Sequence, residues 1–372
     1  MEKVRFEDVA TRVNTREDRM NTSLLYYVGG EHIDSNELLV QGRGLIKGST
    51  IGPMFYCGFK KGDVLLVSRN PHLKKASMVG FDGICSEKTF VLGTKDSAVL
   101  LQEYLAVIVQ SDAFWKYCEE HKSGGVNYFL NWSTLAKYEF KLPSIKEQKE
   151  IADKVWAAYR LKESYKELLA ATDEMVKSQF IEMFGNNKWK VTNLDKLCHE
   201  WIKGQAFKKD SMSNDGCNKC IHYGELFTKY GPIINEVYSS TDSTIVKASK
   251  RGDILFPASD VTPDGLARCS AIMEDNVLLG GDIIALRPNS NISPQYLSWA
   301  INMQKEQLLQ RVTGSVVRHI SAKGLKTVEV VMPPMTQQKQ FVAIAEQSDK
   351  SKFELRKSIE AIDKVIKGLI NN

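Results

Sequence analysis

The sequence predicts an α+β protein of two tandem domains, each followed by a long helix. The two helices are expected to pair as an antiparallel coiled coil with internal pseudo-twofold symmetry. Three observations predict this. First, the chain repeats: Lys61-Gly62-Asp63-Val64-Leu65-Leu66 returns 190 residues later as Arg251-Gly252-Asp253-Ile254-Leu255-Phe256. Gly124, Val126, Leu135, Glu139, Pro143, Gln148 and Lys149 return in the same register as Gly314, Val316, Leu325, Glu329, Pro333, Gln338 and Lys339. Two separated blocks at one offset mean a duplicated unit, and so long a period is a tandem domain, not a solenoid. Second, each copy is a run of short apolar stretches broken by Gly, Asn and Asp, a texture of strands and turns. Third, that texture ends at Pro143 and again at Pro333, and a Lys- and Glu-rich helical pattern follows.

The elements follow in order. Val64–Val67 and Ile254–Phe256 read as buried strands, each opened by a Gly-Asp turn. Phe90–Leu92 and Asp282–Leu286 read as further strands. Tyr104–Tyr117 and Pro294–Gln310 read as helices, the second opened by Ser293-Pro294. Glycine turns follow, Ser123-Gly124-Gly125 and Thr313-Gly314-Ser315, and then a last strand ending at Pro143 or Pro333. Between Glu147 and Phe184 there is neither proline nor glycine; Leu161, Leu168 and Met175 fall seven apart, flanked by Tyr165, Leu169 and Val176. Leu355, Ile359, Ile362, Ile366 and Leu369 step 4-3-4-3. Both patterns predict a coiled-coil seam, with the helix lysines left to solvation. Gly185-Asn186-Asn187 is a fitting stop for the first helix. The expected domains are residues 1–143, helix 144–185, residues 186–333 and helix 334–372.

Composition bounds the function. In 372 residues, 50 basic and 45 acidic side chains leave a formal charge of +5, which permits an anionic partner without demanding one. The opening MEKVRFEDVATRVNTRED is charged from its second residue, unlike a signal peptide, and no apolar run approaches roughly 20 residues. The expectation is a cytoplasmic protein with no membrane contact, its seven cysteines reduced and mostly buried.

Two segments carry a family resemblance: Leu142-Pro143-Ser144-Ile145-Lys146-Glu147-Gln148-Lys149-Glu150-Ile151 and Met332-Pro333-Pro334-Met335-Thr336-Gln337-Gln338-Lys339-Gln340-Phe341. Each follows a strand and opens a long helix, and the first helix closes on Lys177-Ser178-Gln179-Phe180-Ile181-Glu182-Met183-Phe184-Gly185. Throughout its length the chain resembles the specificity subunit of a Type I restriction–modification enzyme. It departs from the pattern at Gln337, where the first copy has Glu147, and at Pro257-Ala258-Ser259, where the first copy has Ser68-Arg69. The resemblance implies a subunit without chemistry of its own. Each domain would read one half of a split, asymmetric double-stranded DNA target, and the helices would fix the unread spacer. Two methyltransferase subunits and the restriction subunits would dock on this scaffold, bringing S-adenosylmethionine, ATP and magnesium as their own cofactors. Other readings are the specificity subunit of a system whose partner fuses methylation and cleavage, a catalytic DNA-modifying enzyme, and a coiled-coil protein whose domains bind protein.

The catalytic reading lacks motifs. Asn70-Pro71-His72-Leu73 is the nearest string to a methyltransferase's Asn/Asp-Pro-Pro-aromatic turn and lacks the second proline and the aromatic. Gly42-Arg43-Gly44-Leu45-Ile46-Lys47-Gly48-Ser49 fails the spacing of a phosphate loop. Asp260, Asp264 and Glu274 are scattered for a magnesium nuclease. Cys217-Asn218-Lys219-Cys220, with Cys198, His199 and His222 nearby, raises zinc, but no second such pair completes a site, so no metal and no catalytic residue is expected. For DNA, loop position, basic clustering and the repeated glycine turns select Arg43, Lys47, Arg69, Lys74, Lys75, Asn127 and Tyr128 in the first domain. In the second they select Lys203, Gln205, Lys208, Arg268, Ser315, Arg318 and His319. Arg suits guanine edges, Asn and Gln suit adenine, and Lys suits phosphate.

Overall fold

The computed structural model describes residues 2–185, 188–205, 212–213, 215–243 and 247–371. It divides into two compact units, Met1–Leu168 with Glu354–Asn372, and Leu169–Phe353.

In the first unit, strand Glu2–Arg5 pairs antiparallel with Glu139–Leu142, the strand that leads into the first long helix. A four-stranded antiparallel sheet runs Ala10–Arg12, Thr89–Thr94, Val64–Val67, Ala76–Met78. Its inner strand Val64–Val67 is buried at every residue. Side chains alternate faces along a strand, so Val64 and Leu66 join one core with Phe6, Trp115 and Tyr159. Leu65 and Val67 join another with Val28, Phe59 and Cys85. The second of these cores lies under a five-stranded sheet ordered Thr15–Arg16, Phe55–Phe59, Gly83–Ser86, Tyr26–Val28, Gly44–Leu45.

The second unit repeats the logic. Strand Lys190–Asn193 pairs with Glu329–Met332, and Ile254–Pro257 is an inner strand between Ile283–Pro288 and Ser270–Ile272. Ile254 and Phe256 face one core, and Leu255 faces another. The two expected helices after the sheets are each broken in two. Gln102–Ile108 is followed by Asp112–Glu120, and Pro294–Asn302 by Lys305–Leu309. The first break has a local cause: the Ser111 hydroxyl accepts the Phe114 amide and starts a new helix.

The motif glutamines explain how strand, turn and long helix are joined. Gln148 and Gln338 are buried in the first turns of helices Ile145–Phe184 and Met335–Asn371. The Gln148 side chain accepts from the Leu101 amide at 3.0 Å and donates to the Pro143 carbonyl at 2.9 Å. Gln338 accepts from the Ser293 amide at 2.9 Å and donates to the Pro333 carbonyl at 2.8 Å. Leu101 and Ser293 each stand just before a helix of the domain.

The long helices pair antiparallel. In the first unit Ile366, with Ile362 and Leu369, packs into the core that holds Val155, Trp156 and Tyr159. In the second, Val176, Phe180 and Phe184 pack with Phe341 and Ala345. The Leu355–Leu369 column therefore faces inward as expected, but the Leu161, Leu168 and Met175 column does not: these side chains are 46%, 50% and 50% exposed. The inward column is the flanking one, Val155, Lys162, Leu169 and Val176, seven apart. A heptad fixes spacing but not phase, and a lysine in the seam hides the true column from a count of apolar residues. The same fact corrects the reading of the helix lysines as solvated, because Lys162 and Lys352 are buried, 6% exposed each. At the end of the first helix the Gly185 amide still bonds to the Ile181 carbonyl; Asn186 and Asn187 lie outside the described residues. No helix among the described residues is long and apolar enough to cross a membrane.

Candidate nucleic-acid interface

Each unit builds the same small feature beside the exit of its inner strand. In the first unit Arg69 forms an antiparallel bridge with Phe129, and Phe129 bridges Ser123. The Asn70 amide bonds to the Tyr128 carbonyl at 2.9 Å, and the Leu130 amide to the Ser68 carbonyl at 2.8 Å. The turn from Ser123 to Phe129 is thereby pinned to the strand end. In the second unit Ser259 and Asp260 pair with His319 and Arg318, and Thr313 bridges His319. Ser259 and His319 are the residues 190 beyond Arg69 and Phe129.

Both turns need glycine. Gly124 and Gly314 have φ of 96° and 95°, where L side chains are strained. A Cβ at either would also collide with a carbonyl, that of Asn127 or Val317.

Around the first turn the Arg69 guanidinium lies 5.3 Å from the Phe129 ring centre, and the Lys122 ammonium 4.2 Å from that of Tyr128. Asn127 is exposed. Around the second, Ser315 and His319 are exposed, and the His319 ring nitrogen Nδ1 lies 2.9 Å from the Ser259 hydroxyl. Arg318 donates to the Gly314 carbonyl at 3.5 Å, while its Nε is buried with no hydrogen-bond partner among the described residues. The structure thus brings Arg69, Asn127 and Tyr128 together in one unit, and Ser315, Arg318 and His319 in the other.

The remaining candidates lie elsewhere. Arg43 stacks over Tyr26 at 4.1 Å and Phe81 at 5.0 Å, beside the edge strand Gly44–Leu45, and Lys47 is exposed beyond it. Lys74 pairs with Asp112 at 3.4 Å, and Lys75 donates to the Gly30 carbonyl at 2.6 Å, so both are held by the first unit's own fold. Arg268 donates to the Phe227 carbonyl at 3.1 Å. Lys203 ends the strand Cys198–Lys203 and is exposed, and the Gln205 amide bonds to the Leu279 carbonyl. Lys208 lies outside the described residues.

Val126 and Val316 escaped sequence reasoning as surface residues. They top the two turns, 93% and 80% exposed. Their recurrence at one offset was the available signal, but a valine after a glycine turn reads as the start of a strand.

Asn70 is left-handed (φ 51°) and opens the short helical turn Pro71–Leu73. Cys217 is exposed, and its thiol is raised by the hydrogen bond to Asp242; burial pushes the Cys220 thiol up to about 11. Among the described residues no three His, Cys, Asp or Glu side chains converge as a metal-binding group.

The fold and its twin turns define a class: an α+β chain of two similar units, each with a glycine turn pinned beside its inner strand and each holding segments of both long helices. Residues 186–363 match the family described as Type I restriction modification DNA specificity domain. The whole chain has the fold of two solved structures. One comes from work on complex assembly and conformational transition of the type I R-M system: it is 18% identical, with 99% of this chain and 96% of that chain covered, at a TM-score of 0.60. The other is the Type I restriction–modification S subunit from M. genitalium: it is 12% identical, with 99% and 94% covered, at a TM-score of 0.59. No curated protein gave a match.

Proposed function

We propose that the chain is the DNA-reading subunit of a Type I restriction–modification complex and catalyses nothing itself. Each unit reads one half of a bipartite, asymmetric duplex target, and the paired helices hold the halves at a set spacing. Two methyltransferase subunits and the restriction subunits assemble on it and supply S-adenosylmethionine, ATP and magnesium. The observation that carries this reading is the twin turn. Its bridges fall at the same places in both units, Ser123–Phe129 with Arg69 and Thr313–His319 with Ser259. The side chains around it differ, and a device built twice with different side chains suits reading two different sequences. Arg69 and Arg318 supply donors for guanine edges, and Asn127 suits adenine.

The test is co-expression with the methyltransferase subunit, followed by mapping of methylated adenines with and without this chain. The reading expects one bipartite motif that disappears without the chain. A continuous motif, or methylation unchanged by its loss, would overturn it.

A further inference from the structure

The five-stranded sheet of the first unit places two thiols opposite each other. Strand Phe55–Phe59 runs antiparallel to Gly83–Ser86, and Cys57 and Cys85 are Cα partners across it. Directly opposed residues in such a pair lie about 4.5 or 5.5 Å apart at Cα, with side chains on one face. Either spacing falls within the roughly 4.4–6.8 Å that a disulfide spans. Both side chains meet in the same small core, where Cys85 is fully buried beside Val28, Phe59 and Val91, and Cys57 packs against it while keeping partial exposure. Among the described strands no other cysteine has this arrangement: Cys198 faces Pro288 and Cys220 faces Leu278.

We propose that Cys57 and Cys85 are a modification site, a cross-strand pair that hydrogen peroxide or a similar two-electron oxidant converts to a disulfide. The surroundings divide the roles. The hydrogen bond between the two thiols lowers Cys57, burial opposes this, and the charges of Arg12 and Arg16 lower it further. The same hydrogen bond, together with burial, raises Cys85. Cys57, the more exposed, is the attacking thiolate and Cys85 the resolving thiol. The Cys57 thiolate attacks one peroxide oxygen; the O–O bond breaks, leaving a sulfenic acid and releasing hydroxide, which takes up a proton to give water. The Cys85 sulfur then attacks the sulfenic sulfur, the S–S bond forms, and a second water leaves. The two thiols lose two electrons and two protons in all, and peroxide becomes two waters.

The bond would staple the central strands of this sheet. Gly83–Ser86 also pairs with Tyr26–Val28, Val28 opposite Cys85, and the Tyr26 ring carries Arg43. A consequence for DNA, falling on the half-target read by the first unit alone, rests on the proposed function; the disulfide itself does not.

The experiment treats the full chain with graded hydrogen peroxide, then denatures it, alkylates the remaining thiols and maps peptides by mass spectrometry. Two of the seven thiols should be lost together as one intramolecular Cys57–Cys85 peptide, restored by dithiothreitol. In Cys85→Ser, Cys57 should stop at sulfenic or sulfinic acid. Thiols at Cys57 and Cys85 that stay alkylatable at peroxide levels oxidising the exposed Cys217 would overturn the proposal. So would overoxidation of Cys57 without cross-link in the unaltered chain. The unaltered chain decides the matter, so a variant that failed to fold would not obscure it. Loss of DNA binding with the disulfide formed, or the reverse, separates this inference from the proposed function.

Discussion

The Lys162 ammonium lies 2.8 Å from the Asp363 carboxylate, and Lys352 lies 2.8 Å from Asp173. Lys162 and Asp173 are on the first long helix, Lys352 and Asp363 on the second, and each pair becomes the other when 190 is added to one number and subtracted from the other. The duplicated helix therefore makes the same bond to its twin in each unit. Lys162 also reaches Glu37 at 3.1 Å, whereas Lys352 reaches Asp349 at 2.7 Å on its own helix.

That difference predicts unequal costs. Glu37 keeps only 17% of its side chain exposed, while Asp173 and Asp349 keep 49% and 39%. Removing one partner of a buried ion pair costs about 3 kcal/mol, because the other charge is stranded away from water. Glu37 would keep Lys166 and the Tyr159 hydroxyl, so Lys162→Ala should destabilise by up to about 3 kcal/mol, and Lys352→Ala by about 1 kcal/mol, since its partners rehydrate. Chemical denaturation of the full-length variants checks this, and equal shifts would contradict it.

Acid should act through the same cluster. Burial works to raise the Glu37 carboxyl, but Lys162, the Tyr159 hydroxyl and Lys166 together hold it below the ordinary glutamate value. A carboxylate lowered in the folded state adds stability above its unfolded pKa and loses it as pH falls through the folded one. Stability should therefore decline from about pH 5 downward. Glu37→Gln should lower stability at neutral pH and flatten that acid limb. A wild-type limb unchanged by the substitution would place the acid sensitivity elsewhere.

The two turns should act on separate half-targets. Arg69→Ala should alter preference in one half and Arg318→Ala in the other, by about 1–3 kcal/mol of discrimination if the arginine reads a base edge. Gly314→Ala, strained at φ 95°, should cost about 1–3 kcal/mol and weaken only the half affected by Arg318→Ala. Competition binding with DNAs scrambled in one half at a time separates the outcomes. If both arginine variants altered the same half, one unit per half-target would be wrong.

The helices should behave as a ruler. One heptad inserted in both preserves the seam and adds about 10 Å, which corresponds to roughly three base pairs of spacer. Methylation should move to targets with the longer spacer, at lower affinity because the second half-site is also rotated about the DNA axis. A four-residue insertion breaks the seam and should do worse. Retention of the original spacer by the heptad variant would reduce the helices to a docking surface.

The sequence by itself determined the duplication, the buried strands Val64–Val67 and Ile254–Phe256, the long helices after Pro143 and Pro333, and the twin glycine turns. Each is written in local spacing: a repeat, an apolar run, a heptad, a glycine where a side chain cannot go. Tertiary structure alone decided which column of the first helix turns inward. Leu161 and Leu168 are half exposed while Lys162 is buried, because burial depends on Glu37 and Asp363, which lie far away in the chain. It likewise decided that Lys75 is spent on the Gly30 carbonyl, whereas Asn127 stands exposed at the turn. Spacing repeats along a chain and can be counted, but a partner is chosen across space, and only the folded chain brings it near.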